Sequence, residues 1–317
     1  MKKKIKALLL LGLVFLGGCG QASAPSVSSA GTDSQSVDLF AMDTAMTLTA
    51  YGDHAEDALA GAKSEIERLD ALFSISSDIY ALNRDYAVTL HEDTQALLKR
   101  ALEVSDSTDG IFDCTIEPVM DAWGFTTQNY RVPSADELQQ LLTHVDYKQV
   151  QQNGSDVSIP ADVQVDLGGI AKGYTSDRIM QVFADNGVTS GIVSLGGNVQ
   201  ALGCKPDGSK WRVAVQDPND EGENFAVVEI ADEAVITSGG YQRYFEEDGA
   251  TYHHIIDPRT GYPADSGVIS STIISHDGTL ADGLSTSLFI MGVDDALDYW
   301  RAHKEEFDAI LMDKDGT

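Results

Sequence analysis

The chain of 317 residues carries 50 Asp and Glu against 21 Lys and Arg, a formal net charge of −29. So acidic a surface repels nucleic-acid phosphates and anionic headgroups, which excludes nucleic acid and a lipid-binding face as partners. With 43% apolar residues and three cysteines, it can build a substantial core but has no disulfide framework.

In chain order, Met1 to Lys6 is a basic segment and Ala7 to Leu16 an apolar stretch too short to span a bilayer. Leu16-Gly17-Gly18-Cys19 then places small residues before a cysteine. This pattern resembles the lipobox of bacterial lipoproteins. The resemblance implies that residues 1–18 are a signal peptide and that Cys19 is lipidated. Residues 19–37, rich in Ser, Ala and Gly without an apolar period, read as a flexible tether to a domain over 38–317. The expected location is extracytoplasmic, on the cell membrane through the lipid anchor alone. Without the four leader lysines the count is 17 basic to 50 acidic, a net of −33. Outside the cell, Cys114 and Cys204 are able to form one disulfide.

Asp38 to Tyr51 alternates as one strand, and His54 to Phe73 is an amphipathic helix with Leu59, Ala62, Ile66, Leu69 and Phe73 on one face. After a polar break at 74–77, Ile79 to Asn83 is a short turn or helix, and Glu92 to Val104 a second long helix. Trp123-Gly124-Phe125 reads either as a core corner or as a ligand platform. Pro133 to Glu137 is a capping box opening a helix to Leu142, and Asn153-Gly154 marks a hairpin. Val163 to Leu167 is a strand running through Gly168-Gly169 into a helix that Asn186-Gly187 ends. Strands then dominate: 190–195, 198–202, 211–216, 225–230, 235–238, a hairpin at 244–255 around Glu247-Asp248-Gly249, and 266–275. Helices follow over 279–291 and from Asp294. The pattern predicts an α+β fold with a largely antiparallel sheet and flanking helices.

Three stretches carry candidate chemistry. A strand turning through Gly168-Gly169 into a helix aims backbone N–H groups and a helix dipole at one spot, with Asp166 and Lys172 beside it. It is also what a tight strand-to-helix turn requires. In Tyr252 to Pro263, His254 and Ile256 share one face before the Asp257-Pro258 turn. In Leu280 to Gly292, Asp282 and Thr286 lie four apart on one helix face. A carboxylate and a hydroxyl are hard oxygen ligands that suit Mg²⁺ if carbonyls, phosphates or water complete the shell. Taken singly, Asp282 reads as a helix cap.

Taken together, VDLGGIAKGYTSD, SLGGNVQALG, HHIIDPRTGYP and LADGLSTSLFIMG, with weaker matches at MDTAMTLTAYG and FDCTIEPVMDAWGF, resemble the ApbE family of FAD:protein FMN transferases. The resemblance implies an α+β fold related to the T-fold, with FAD in a groove and Mg²⁺ on its pyrophosphate. The metal ligands it implies are the Gly169 carbonyl and the Asp282 and Thr286 side chains. Met42, Trp123, Gly124, Phe125, Asp166, Lys172 and Ile256 would touch FAD. His254 would handle the proton of the attacking hydroxyl, with Asp257 as the fallback base.

The implied reaction moves FMN from FAD to a threonine or serine of an extracytoplasmic acceptor flavoprotein and releases AMP. The acceptor residue would lie in a short threonine-containing motif. Two other readings stay open: an Mg²⁺-dependent FAD pyrophosphatase, and a lipoprotein that stores FAD. The chain departs from the family pattern in a short loop at Ser74–Ser77, Asp43 for glycine, Cys114 for proline, Gly283 for alanine, and an end at Thr317 that leaves out a last strand.

Overall fold

A computed structural model of the chain describes residues 33–74 and 77–316. The leader, Cys19 and most of the expected tether lie outside those residues, as do Ile75 and Ser76 of the short loop. Among the described residues no helix is long and apolar enough to cross a membrane.

The stretch read as one strand is a hairpin. β1 (Ser34–Ala41) pairs antiparallel with β2 (Thr44–Tyr51), and Met42 and Asp43 turn between them with φ of 49° and 58°. Two successive left-handed residues form a two-residue turn whose twist suits a hairpin. Alternation runs through such a turn unbroken, so periodicity cannot detect it. β1 also starts at Ser34, inside the segment assigned to the tether, because its first residues are polar and exposed and have no apolar period.

α1 (Ala55–Phe73) then lays Ala55, Ala58, Leu59, Ala62 and Ile66 on the sheet. α2 (Asp78–Asp85), β3 (Ala87–Thr89) and α3 (Glu92–Ser107) follow. α4 (Glu117–Trp123) ends at Gly124, and α5 (Ala135–Leu142) is capped by Ser134, whose side chain accepts from the Glu137 N–H. β4 (Gln151–Asn153) and β5 (Asp156–Ser158) flank the Asn-Gly turn and join β3 in a small sheet.

The strand expected at Val163–Leu167 does not form. Gln164 makes one isolated bridge to Ile116, while the Val165 N–H and C=O bond to the Asn83 side-chain amide at 2.7 and 2.9 Å. A side chain there stands in for a neighbouring strand and satisfies the backbone.

α6 (Ala171–Asp185) leads to β6 (Gly191–Leu195) and β7 (Asn198–Leu202). The long ribbon of β8 (Trp211–Asp217) and β9 (Asp220–Ile230) comes next, then β10 (Ala234–Gly239). β11 (Tyr244–Glu247) and β12 (Ala250–His253) form a second ribbon, followed by β13 (Val268–Ser275), α7 (Gly278–Met291), α8 (Val293–His303) and β14 (Asp308–Asp313). The main sheet runs β1-β2-β6-β7-β10-β13-β14 and all its neighbours are antiparallel. β14 is an edge strand just beyond a helix, and its half-buried residues lack the apolar alternation that would mark it in the sequence. Cys114 and Cys204 are both free thiols, so the possible disulfide is absent.

Alternation along the strands sorts the two faces. Ile236 and Ile273 point to the helices, whereas Val235 and Ile274 point to the β8–β9 ribbon with Trp211 and Val213. α7 is buried nearly all round, between the sheet, α3 and α6. The closest approach is between α6 and α7: a Cβ on Gly173 would lie 2.2 Å from the Gly278 carbonyl oxygen and 2.7 Å from the Asp282 Cβ. Backbone on one side and a buried side chain on the other leave no room to yield. Gly173→Ala is therefore expected to lower the unfolding free energy by about 3 kcal/mol through overpacking, measured by urea denaturation; an unchanged midpoint would contradict this crossing.

Candidate active site

The two buried helices cap one another. Asp177 on α6 takes the N–H groups of Gly278 and Thr279 at 2.9 and 2.8 Å, with the Thr279 hydroxyl at 2.6 Å and the Gln200 amide at 2.9 Å. In return, Oδ2 of Asp282 on α7 accepts the Gly173 N–H at 2.8 Å. Ile170, at the N-cap of α6, supplies no side-chain acceptor, so a carboxylate from another helix serves there. α7 has its own cap in Asp277, which accepts from the Leu280 N–H at 2.8 Å. Asp282 is thus a cap after all, but of the neighbouring helix. Among the described residues its second oxygen takes no hydrogen bond.

Thr286 lies one turn further along α7, half-buried, with its hydroxyl 3.3 Å from that of Ser238 on β10. The double-glycine corner ends nearby, since a Cβ on Gly283 would be 3.5 Å from Cδ1 of Ile170. Neither Gly168 nor Gly169 has a positive φ. What they provide is room: a Cβ would come within 3.1 Å of an Asp166 carboxylate oxygen at Gly168 and of the Phe112 ring at Gly169. Among the described residues no three His, Cys, Asp or Glu side chains cluster as metal ligands do. The donors on offer are one buried carboxylate with a free oxygen, a hydroxyl and main-chain carbonyls. All are hard oxygens, a set that fits Mg²⁺ completed by phosphate or water and would hold a thiophilic metal poorly.

A second wall carries the positive charge. Lys172 is the second residue of α6, and the Arg243 guanidinium packs over the Phe125 ring and donates to the Phe125 carbonyl. Burial raises the pKa of Asp166, which the Gly168 N–H at 2.7 Å and the Arg243 and Lys172 charges oppose. Nδ1 of His254 lies 3.1 Å from the Arg243 carbonyl, which also accepts the His254 backbone N–H at 3.1 Å. Because that carbonyl can only accept, the neutral ring holds its proton on Nδ1 and leaves Nε2 a bare acceptor. Burial, reinforced by the Arg243 charge, pushes the imidazole down to about 3. Beside Asp166, burial together with the Asp166 and Asp121 charges pushes Glu117 up to about 9, so that carboxyl is neutral at pH 7.

Several expected contacts are placed elsewhere. Trp123 and Phe125 are wholly buried, and Ile256 nearly so, in one aromatic cluster with Phe245. Trp123 donates to the Gly261 carbonyl at 2.7 Å, and a Cβ on Gly124 would collide with the Asn129 carbonyl. These four residues form a core corner, and their side chains are closed to a ligand. Asp257 is buried with both oxygens turned to the Arg259 guanidinium at 2.8 to 3.2 Å, which locks the Asp-Pro turn and leaves no lone pair aimed at a substrate. Met42 is partly accessible at the β1–β2 turn, its N–H bonded to Asp70 at 2.9 Å. Arg243, Glu117 and Ser238 were missed. The only signal for Arg243 was the Gly239-Gly240 pair, which frees the chain between β10 and β11.

Comparison with known proteins gives the family and the fold. The ApbE family profile matches residues 42–311. An FAD:protein FMN transferase of Treponema pallidum is 38% identical over 65% of this chain; the match covers 61% of that relative, less than two thirds of its length. The crystal structure of the ApbE protein of Thermotoga maritima superposes with a TM-score of 0.85 at 33% identity, over 90% of this chain and 96% of that one. The apo flavinyl transferase ApbE of Pseudomonas stutzeri gives a TM-score of 0.81 at 27% identity, over 92% and 94%.

The His254 environment is open to a direct check. Its folded pKa lies below the ordinary 6.5, so protonation favours the unfolded chain. The stability this group contributes is complete above pH 6.5 and is lost as the pH falls from there toward 3. Nitrogen-detected NMR is expected to show a neutral Nδ1–H tautomer unchanged from pH 8 to about 5; an imidazolium signal at pH 6 would contradict the assignment.

Proposed function

The chain belongs to the ApbE family, and on that premise we propose that it transfers FMN from FAD to a hydroxyl of an acceptor protein. The observation that carries this reading is the Asp282 carboxylate, tied by one oxygen to the start of α6 and open at the other, one turn from the Thr286 hydroxyl.

FAD is an anionic substrate on an acidic protein, so the pyrophosphate needs local positive charge. Lys172, Arg243 and the N-terminal end of α6 supply it from the protein. Asp282, Thr286 and the Gly169 carbonyl are the residues that would hold Mg²⁺. When bound there, the ion would offset the pyrophosphate charge and polarise the phosphorus. A threonine or serine hydroxyl of the acceptor attacks the FMN phosphorus. A new P–O bond forms, the bond to the AMP phosphate breaks, and AMP leaves with the electron pair. Nε2 of His254, bare and neutral, is the acceptor for the hydroxyl proton. In the protein alone its pKa is too low for that task, and the anionic phosphates of bound FAD would raise it toward the working range. Positioning and charge stabilisation do most of the work in such transfers. The acceptor is proposed to be an extracytoplasmic flavoprotein, reached by a chain anchored through Cys19; the leader and tether pattern supports that location.

Incubation with FAD, Mg²⁺ and a threonine-motif peptide should yield a flavinylated peptide and AMP by mass spectrometry. Free FMN without adduct would instead support hydrolysis, and unchanged FAD would support storage. Asp282→Asn keeps an oxygen for the Gly173 N–H but removes the charge. It should lower Mg²⁺-dependent turnover by about 100-fold or more with little change in melting temperature; near wild-type turnover would sink the metal assignment. His254→Gln should slow transfer by roughly 10² to 10⁴ while FAD affinity is kept, as followed by flavin fluorescence.

A further inference from the structure

We propose that Ser238 is a positioning residue for Thr286: it takes the threonine proton and so turns the oxygen lone pairs toward the cation shared with Asp282. This rests on the metal reading above and extends it to a side chain outside the proposed ligand set.

Three hydroxyls are chained at the β10–α7 contact. Ser285 donates to the Asp282 main-chain carbonyl at 2.8 Å, Ser238 and Ser285 are 2.8 Å apart, and Ser238 and Thr286 are 3.3 Å apart. A hydroxyl has one proton and a carbonyl has none, so the direction of the chain follows. The Ser285 proton is committed to the carbonyl. Two oxygens at 2.8 Å with no proton between them repel, so the Ser238 proton lies on the Ser285 side. The only proton left for the 3.3 Å contact is that of Thr286. The order is therefore Thr286 to Ser238 to Ser285 to the Asp282 carbonyl, which ends on the residue whose carboxylate is the other proposed ligand.

The consequence is chemical. A threonine free to rotate aims its proton at a cation for part of the time, whereas one whose proton is held presents lone pairs only. Ser238 can do this because β10 pairs with β13 in register, Ser238 opposite Ser271, which sets its side chain on the helix face of the sheet beside Ile236. It is half-buried, so an added methyl group has space.

The test is Mn²⁺ binding by the full chain, with free Mn²⁺ read by electron paramagnetic resonance and no FAD present. Ser238→Ala is expected to weaken Mn²⁺ binding about tenfold or more at an unchanged melting temperature. In the transfer assay it should raise the Mg²⁺ concentration for half-maximal rate while kcat at saturation stays near wild type. Ser238→Thr restores the acceptor oxygen and should bind as the wild type does. Wild-type Mn²⁺ affinity in Ser238→Ala would overturn the proposal, as would equal loss in the Ala and Thr variants, which would make the position one of packing. A wild-type chain that binds no Mn²⁺ would remove the metal reading and this relay together, an outcome distinct from either of those.

Discussion

The exchange of carboxylates between α6 and α7 is the interaction on which the site depends. Each helix begins with backbone N–H groups that the other helix satisfies, Asp177 in one direction and Asp282 in the other. This requires the two backbones to approach to a separation that only glycine allows at Gly173. The crossing sets Asp282 and the start of α6 against one another before any ligand arrives. Removing water from a carboxylate costs free energy unless hydrogen bonds replace it, and the Gly173 N–H meets half of that need. The open oxygen is therefore held in place by structure rather than by substrate.

Charge is handled by locality. The chain as a whole is strongly acidic, yet Lys172 and Arg243 gather around Asp166 at the N-terminus of α6, and two groups nearby give up their charge. His254 is neutral because it is half-buried and desolvated next to cations, and Glu117 is neutral because it is half-buried and desolvated next to carboxylates. The protonated Glu117 spares an incoming anion one negative charge, whereas the neutral His254 gives up a positive one and keeps a free ring lone pair in exchange. The acidic remainder of the surface repels nucleic acid and anionic lipid.

The histidine stretch divides its labour between neighbours. His254 faces the cationic wall, whereas Asp257 and Arg259 are spent on each other and hold the turn that follows. Trp123, Phe125, Phe245 and Ile256 form the hard backing behind them. Arg243 links the two layers, its carbonyl setting the histidine tautomer and its guanidinium tying down the Phe125 carbonyl. Rigid aromatic packing behind a polar wall is a way to keep reacting groups preorganised.

Read alone, the chain already determined its fold class, most of its helices and the hairpins at Asn153-Gly154 and Asp248-Gly249. These rest on local periods of 2 and 3.6 and on turn residues whose backbone preferences are local. It also brought forward Asp166, Lys172, His254, Asp282 and Thr286 as polar groups at element ends or on one helix face. Only the tertiary structure decided what each one does. Whether Trp123 is a platform or a wall depends on burial by β11 and β12, more than a hundred residues away in the chain. Asp257 lost the look of a base because Arg259 folds back on it, and Asp282 became the cap of a helix over a hundred residues upstream. The Val163–Leu167 segment kept its alternation but surrendered its ladder to the Asn83 side chain. Periodicity records which way a side chain points from its own backbone; what it meets there is set by the packing of distant elements, and that information has no local trace.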